Sequence, residues 1–146
     1  MRLLFSFVLF FSMAFTHANT VLTRLDGKDI AFEQLKGKWV FINYWATWCA
    51  PCLEEIPHFN RLASEKKGSV VVFGVNYDAV SAKEQRQLSR QYNLRYPSLL
   101  NNPAEILRLG DIRGVPVTFI FNPQGQLQEV LHGGQSYENL LAVISK

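Results

Sequence analysis

Trp39-Val40-Phe41-Ile42-Asn43-Tyr44 is almost unbroken in its apolar character, and it ends just before the only two cysteines of the chain, Cys49 and Cys52. A run this short and this apolar reads as a strand buried on both faces, which calls for a sheet covered on both sides. Val70 to Val75 is a second such run, rich in β-branched valine. Between them, about Cys49 to Ser64 reads as a helix, closed by Lys66-Lys67-Gly68. Strand, helix and strand in this order constrain the chain to an α/β fold.

The remaining segments fit around that unit. Leu22 to Leu25 and Asp29 to Phe32 flank Asp26-Gly27, whose residues suit the positive φ angles of a tight hairpin turn. Ser81-Ala82-Lys83-Glu84 is a capping box that opens a helix running to about Tyr92. Tyr96 to Leu100 reads as a short extended piece and Ala104 to Leu109 as a short helix. Val117 to Phe121 and Gln128 to Leu131 are strands joined by the turn Asn122-Pro123-Gln124-Gly125, and Tyr137 to Ser145 is a final helix.

The N-terminus has a different character. Arg2 is the only charge before Arg24, Leu3 to Phe15 is apolar apart from Ser6 and Ser12, and the small Ala18 follows. Basic start, short apolar stretch and small-residue exit are the order of a secretory signal over residues 1–18, leaving one domain at 19–146. The stretch falls short of the roughly 20 apolar residues of a spanning helix, although an uncleaved membrane anchor is the alternative. The net charge of +3 arises from 15 basic and 12 acidic residues that are interspersed. That is too weak and too mixed for nucleic-acid binding. An exported chain normally uses cysteines to staple distant segments. A bridge between Cys49 and Cys52 closes almost no loop and adds little stability, so chemistry explains the pair better.

Cys49 stands at the start of the helix, where free backbone N–H groups and the dipole favour thiolate over thiol, so it is the nucleophile. Cys52, one turn in, is placed to resolve a mixed disulfide. Pro51 has no N–H to lose at a helix start and stiffens the turn between the sulfurs. At 100° per residue, Cys52, Ile56, Phe59, Leu62 and Ala63 share one apolar sector, and Glu55 falls inside it while Glu54 and His58 point away. An inward carboxyl beside a resolving cysteine has a raised pKa and can exchange a proton with it. The alternative is a Glu55 swung to the rim and solvated, because Pro57 kinks the helix and blurs the phases. Of the neighbouring aromatics, Trp45 reads as core and Trp48 as part of a docking rim. A copper or zinc site is the reading from a different class. His17 leaves with the signal and His58 lies opposite Cys49, which leaves the cysteines with His132 for a closed site that wants four ligands.

Phe41 to Cys52 (FINYWATWCAPC), with Glu55, Pro57 and the distant Gly114-Val115-Pro116-Val117-Thr118-Phe119, resembles the thioredoxin superfamily, and within it the exported TlpA/ResA-like branch. The resemblance covers nearly all of the chain after residue 20. It implies a central mixed β-sheet flanked by helices on both faces, with an N-terminal β-hairpin and a strand–helix insertion. It makes Pro116 a cis-proline facing the disulfide, with the Val115 backbone open to an extended substrate by strand addition. Trp48, Ala50, Pro51, Val115 and Pro116 then form the substrate-binding surface. In this branch an acid at the position of Glu55 handles the proton. One departure is Asn43, where cytosolic thioredoxins usually carry a buried aspartate; an amide cannot titrate, and the task shifts to Glu55.

The expected activity is that of a protein-disulfide reductase working on exported proteins, apocytochrome c or another oxidoreductase among them. It would use no cofactor beyond the Cys49–Cys52 disulfide and no metal, act as a monomer in a bacterial periplasm, and take electrons from a membrane donor. Ala50-Pro51 lacks the histidine that favours thiolate in strong oxidants, which points to a reductant, with a disulfide oxidase or isomerase as the alternative.

Overall fold

The computed structural model describes residues 20–146; the expected secretory segment, residues 1–18, lies outside them. Strands β1 (Val21–Thr23) and β2 (Asp29–Ala31) form an antiparallel hairpin whose turn holds Gly27 at φ 82°. A single 3-10 turn, Phe32–Leu35, leads to β3 (Trp39–Trp45). Helix α1 (Ala50–Glu65), β4 (Val70–Asn76), α2 (Ala82–Gln91), β5 (Val117–Phe121), β6 (Leu127–His132) and α3 (Tyr137–Ile144) follow. The main sheet has the order β4-β3-β5-β6, with β3 and β4 parallel and the other pairs antiparallel. The two apolar runs are therefore the neighbouring parallel strands, joined by the helix that carries the cysteines.

Period-2 alternation sorts β3 between two cores. Val40, Ile42 and Tyr44 join Val117, Phe119 and Phe121 under the hairpin, the 3-10 turn and the connection containing Leu99 and Leu107. Phe41 faces the other way, against Phe59 and Leu62 of α1 and Leu140 and Val143 of α3. Trp45 lies on this second side too, packed with Ala46, Cys49, Cys52 and Ile56, and Leu88 of α2 closes against that cluster. The same alternation puts Asn43 on the α1 side, paired with Thr118 of β5 across one edge and Gly74 of β4 across the other.

Two segments differ from expectation. Tyr96 to Leu100 is extended but enters the sheets only as isolated bridges, Arg24 with Leu99 and Gly74 with Ser98. Ala104 to Leu109 is a set of turns and not a helix. Its backbone closes locally, Leu107 N–H to Pro103 O and Leu109 N–H to Ala104 O, and then Arg108 takes φ 55° and Gly110 φ 78°. Leu107 is buried but Ile106 is exposed, so the segment has no apolar stripe to offset the cost of nucleating a helix.

Gly74 is closely packed within the sheet. A Cβ there would lie 3.2 Å from Cε2 of Tyr96 and 3.4 Å from Cδ2 of Leu94. Gly74→Ala is expected to lower stability by about 1–3 kcal/mol through overpacking, read from urea midpoints. An unchanged midpoint would mean that the Tyr96 ring yields.

Candidate active site

Cys49 is the N-cap of α1, in extended conformation (φ −97°, ψ 97°), and its Sγ accepts the backbone N–H of Cys52 at 3.3 Å. Pro51 falls in the first turn, where a missing N–H costs nothing. The two sulfurs are joined as a disulfide. Its exposure is small and one-sided: Cys49 is 4% exposed and Cys52 0%. Upon reduction, negative charge on Cys49 would sit where a backbone N–H already points and where the helix dipole is positive. Among the described residues no side chain donates a hydrogen bond to Cys49 Sγ.

The predicted surface residues gather around this point. Ala50 and Pro51 are exposed beside Cys49. Trp48 is 64% exposed, and its Nε1–H donates to Asp78 Oδ1 at 3.0 Å. The Trp48 ring meets Tyr77 edge-on at 6.3 Å between centroids. Trp45 is buried against Tyr92. The Val115–Pro116 peptide is cis. Val115 packs against the cysteine cluster, while Pro116 O accepts the Gly133 N–H at 3.0 Å. Beside them runs a groove of about 470 Å³ whose walls include Ile112, Val115, Pro116, Phe119 and His132. The exposed dithiol edge is thus framed by an aromatic pair on one side and an open backbone loop on the other.

Glu55 is 1% exposed, so α1 continues through Pro57 with the carboxyl on its buried face, one turn from Cys52. Asn43 Nδ2–H donates to Glu55 Oε1 at 2.7 Å and also to Thr118 Oγ1 at 3.1 Å. The Gln135 backbone N–H donates to Oε2 at 3.0 Å. Burial raises the Glu55 pKa to about 7, outweighing the two hydrogen bonds, which lower it. Asn43 therefore serves as a fixed donor to the acid. A cleft of about 220 Å³ between Pro51, Glu54, His58 and the Gly134–Ser136 loop reaches Glu55 from solvent.

Sequence reasoning missed Tyr77, Asp78, Thr118 and Gln135. Tyr77 and Asp78 directly follow β4, and parallel neighbours end at the same sheet edge, so pairing β3 with β4 would have placed them beside Trp48. Gln135 had a weaker signal, the Gly133-Gly134 pair before the last helix. A Cβ on Gly134 would stand 3.4 Å from Pro51 Cβ, so the loop lies close against the start of α1. For the metal reading, no group of three His, Cys, Asp or Glu side chains placed to hold an ion occurs among the described residues.

The raised acid makes a prediction for stability. From about pH 4.5 to about pH 7 the unfolded chain has lost the Glu55 proton while the folded chain keeps it, so stability falls as pH rises through this window and levels off above it. Relative to Glu55→Gln, the disulfide form of the wild type should lose roughly 3 kcal/mol over the window. Both Glu55 oxygens accept N–H groups, and an amide nitrogen can replace only one of them at the cost of a donor facing a donor. The diagnostic is therefore the slope of the urea midpoint against pH; parallel curves for the two proteins would contradict a buried acid.

Comparisons with known proteins agree with this geometry. Residues 13–130 match the AhpC/TSA family. The thiol-disulfide oxidoreductase ResA of Bacillus cereus is 33% identical over 132 residues, covering 88% of this chain and 74% of that protein. Among solved structures, a thiol:disulfide interchange protein of the thioredoxin family from Chlorobium tepidum superposes with a TM-score of 0.70 at 25% identity, covering 86% of this chain and 90% of that one. The exposed lipoprotein thioredoxin Etrx1 of Streptococcus pneumoniae gives a TM-score of 0.74 at 23% identity, covering 86% and 97%. With its Cys49–Cys52 disulfide at the head of α1, the chain belongs to the AhpC/TSA family of the thioredoxin superfamily and is a thiol–disulfide oxidoreductase related to ResA.

Proposed function

We propose that this enzyme is an exported protein-disulfide reductase in which Cys49 attacks, Cys52 resolves and Glu55 handles the proton. The observation that carries the direction is the environment of Cys49: its sulfur meets one backbone N–H and no side-chain donor among the described residues. A thiolate held only by that bond and the helix dipole stays basic enough to favour giving electrons away.

The cycle follows from the positions. The Cys49 thiolate attacks one sulfur of a substrate disulfide, forming a mixed disulfide and releasing the other substrate sulfur as a thiolate that takes a proton from water. Cys52 then gives its proton to the Glu55 carboxylate and attacks Cys49 Sγ. The second substrate sulfur leaves as a thiolate that takes a proton from water, and two electrons have passed to the substrate as the enzyme closes its disulfide. A carboxyl with a pKa of about 7 can accept this proton and return it to solvent at neutral pH. Trp48, Ala50 and Pro51 contact the substrate from one side, while the backbone beside Val115 and Pro116 pairs with it from the other.

Residues 1–18 serve as a secretory signal, supported by Arg2, the apolar stretch and Ala18. The protein then works as a monomer in the periplasm, on the disulfides of exported proteins, apocytochrome c or another oxidoreductase being the candidate substrates, and is re-reduced by a membrane donor. Sequencing of the mature N-terminus should begin near Asn19; an intact Met1 in the membrane fraction would instead establish an anchor.

Two experiments test the reductase. Equilibration with glutathione should place the potential closer to about −270 mV than to about −120 mV, and a value above about −160 mV would make the protein an oxidant. Cys52→Ala should accumulate mixed disulfides with substrate proteins and Cys49→Ala few; equal trapping would overturn the order of attack.

A further inference from the structure

The loop 132–135 touches three parts of the site in succession. The Gly133 N–H donates to Pro116 O at 3.0 Å. Gly134 passes so close to the start of α1 that a Cβ there would lie 3.4 Å from both Cβ and O of Pro51. The Gln135 N–H donates to Glu55 Oε2 at 3.0 Å. Glycine suits the first two positions, since Gly133 takes φ 80° and Gly134 lets one backbone approach another. The side chain of Gln135 ties the turn together. Its Nε2 carries two hydrogens and donates to His132 O at 3.2 Å and to Gly133 O at 3.0 Å. Its Oε1 accepts Asn139 Nδ2–H of α3 at 3.5 Å. The amide is not needed to begin α3, because Ser136 is the N-cap and its Oγ accepts the Asn139 N–H at 3.1 Å. It folds back on its own loop instead.

We propose that Gln135 is a positioning residue whose side-chain amide fixes the loop 132–135 in the shape that lets its backbone serve Glu55 and Pro116 together. A backbone N–H helps a buried carboxylate only while it stays aimed, and a loop freed of its side-chain bonds gains conformations in which it does not. Burial raises the Glu55 pKa, and the bonds from Asn43 and then Gln135 draw it back, so a wandering N–H leaves the acid holding its proton more firmly. The same turn sets the Gly133 N–H on the carbonyl of Pro116, beside the backbone proposed to pair with an extended substrate. Substrate docking and the acid thus depend on one side chain that bonds to neither. The titratable and charged groups around Glu55 are Cys52 on its own helix, Glu54 and His58 at the mouth of the solvent cleft, Glu138 of α3 within reach of His58, and Tyr96 from the connection after α2. The sheet presents only the neutral Asn43 and Thr118. None of these groups hydrogen-bonds the Gln135 side chain, so replacing it changes no charge around the acid.

The inference rests on Glu55 being the proton carrier, and the test separates the two claims. In the disulfide form neither cysteine titrates, so the infrared C=O stretch of a protonated carboxyl that is lost near neutral pH, and is absent from Glu55→Gln, reports Glu55 alone. Gln135→Met keeps the length of the side chain and removes its amide. It should raise the midpoint of that band by about half a pH unit, a roughly threefold gain in proton affinity. The first attack of the reduced protein on an extended peptide disulfide should slow about threefold, whereas attack on dithionitrobenzoate, which has no peptide backbone to pair, should keep its rate. A band midpoint that stays put or falls in Gln135→Met overturns the role of Gln135 at the acid, also where the urea midpoint drops, since that is the mark of a merely structural side chain. Equal slowing with both disulfides, or with neither, overturns its role at Pro116. The carrier role is read separately, from the pH profile for release of the second thionitrobenzoate: identical profiles in wild type and Glu55→Gln overturn it, while the band still decides Gln135. A band that persists in Glu55→Gln overturns both.

Discussion

Everything at this site depends on one buried carboxyl held between an amide and a backbone N–H. A free acid this deep in the protein is expelled or neutralised, and its two hydrogen bonds only partly offset the loss of water. The result is an acid poised between its two forms at neutral pH. That balance suits the proposed proton exchange with Cys52, which would move a proton on and off its sulfur in each catalytic turn. A better-solvated Glu55 would stay ionised, and one without Asn43 and Gln135 would hold its proton too firmly.

The sheet is what sets this balance. In one row across it, Gly74, Asn43 and Thr118 are register partners, and each presents something different to α1. Gly74 presents a vacant Cβ position that Tyr96 fills, Asn43 a donor, and Thr118 an acceptor that helps orient the amide. A one-residue slip of β3 would turn Asn43 to the far core and bring an apolar side chain under Glu55. The helix start, meanwhile, governs the other half of the chemistry. Cys49 as N-cap receives the Cys52 N–H, so this bond and the proposed proton exchange would meet at the same residue.

Much of this arrangement was legible in the residues, because it follows from short-range periodicities. The apolar runs at Trp39 and Val70, the hairpin at Asp26-Gly27 and the inward phase of Glu55 are all written in spacings of two or 3.6. What was not legible depends on contacts between distant segments. The loop N–H of Gln135 reaches Glu55 from 80 positions away, and Tyr96 packs on Gly74, the register partner of Asn43, from a connection outside the named strands and helices. The turn at Ala104–Leu109 was misread for a related reason: helix propensity is local, but a helix this short forms only if tertiary packing supports it, and Ile106 faces solvent.

The central claim, that Glu55 and the dithiol share protons, is tested most directly by the pH dependence of the reduction potential. In the disulfide form Glu55 releases its proton near pH 7, and in the reduced form a nearby thiolate holds that proton to higher pH. Between these points reduction takes up an extra proton, so the potential of the wild type should fall more steeply with pH than that of Glu55→Gln. The difference should approach about 30 mV per pH unit, the value for one proton in a two-electron couple. Identical slopes in the two proteins around and above neutral pH would contradict the account.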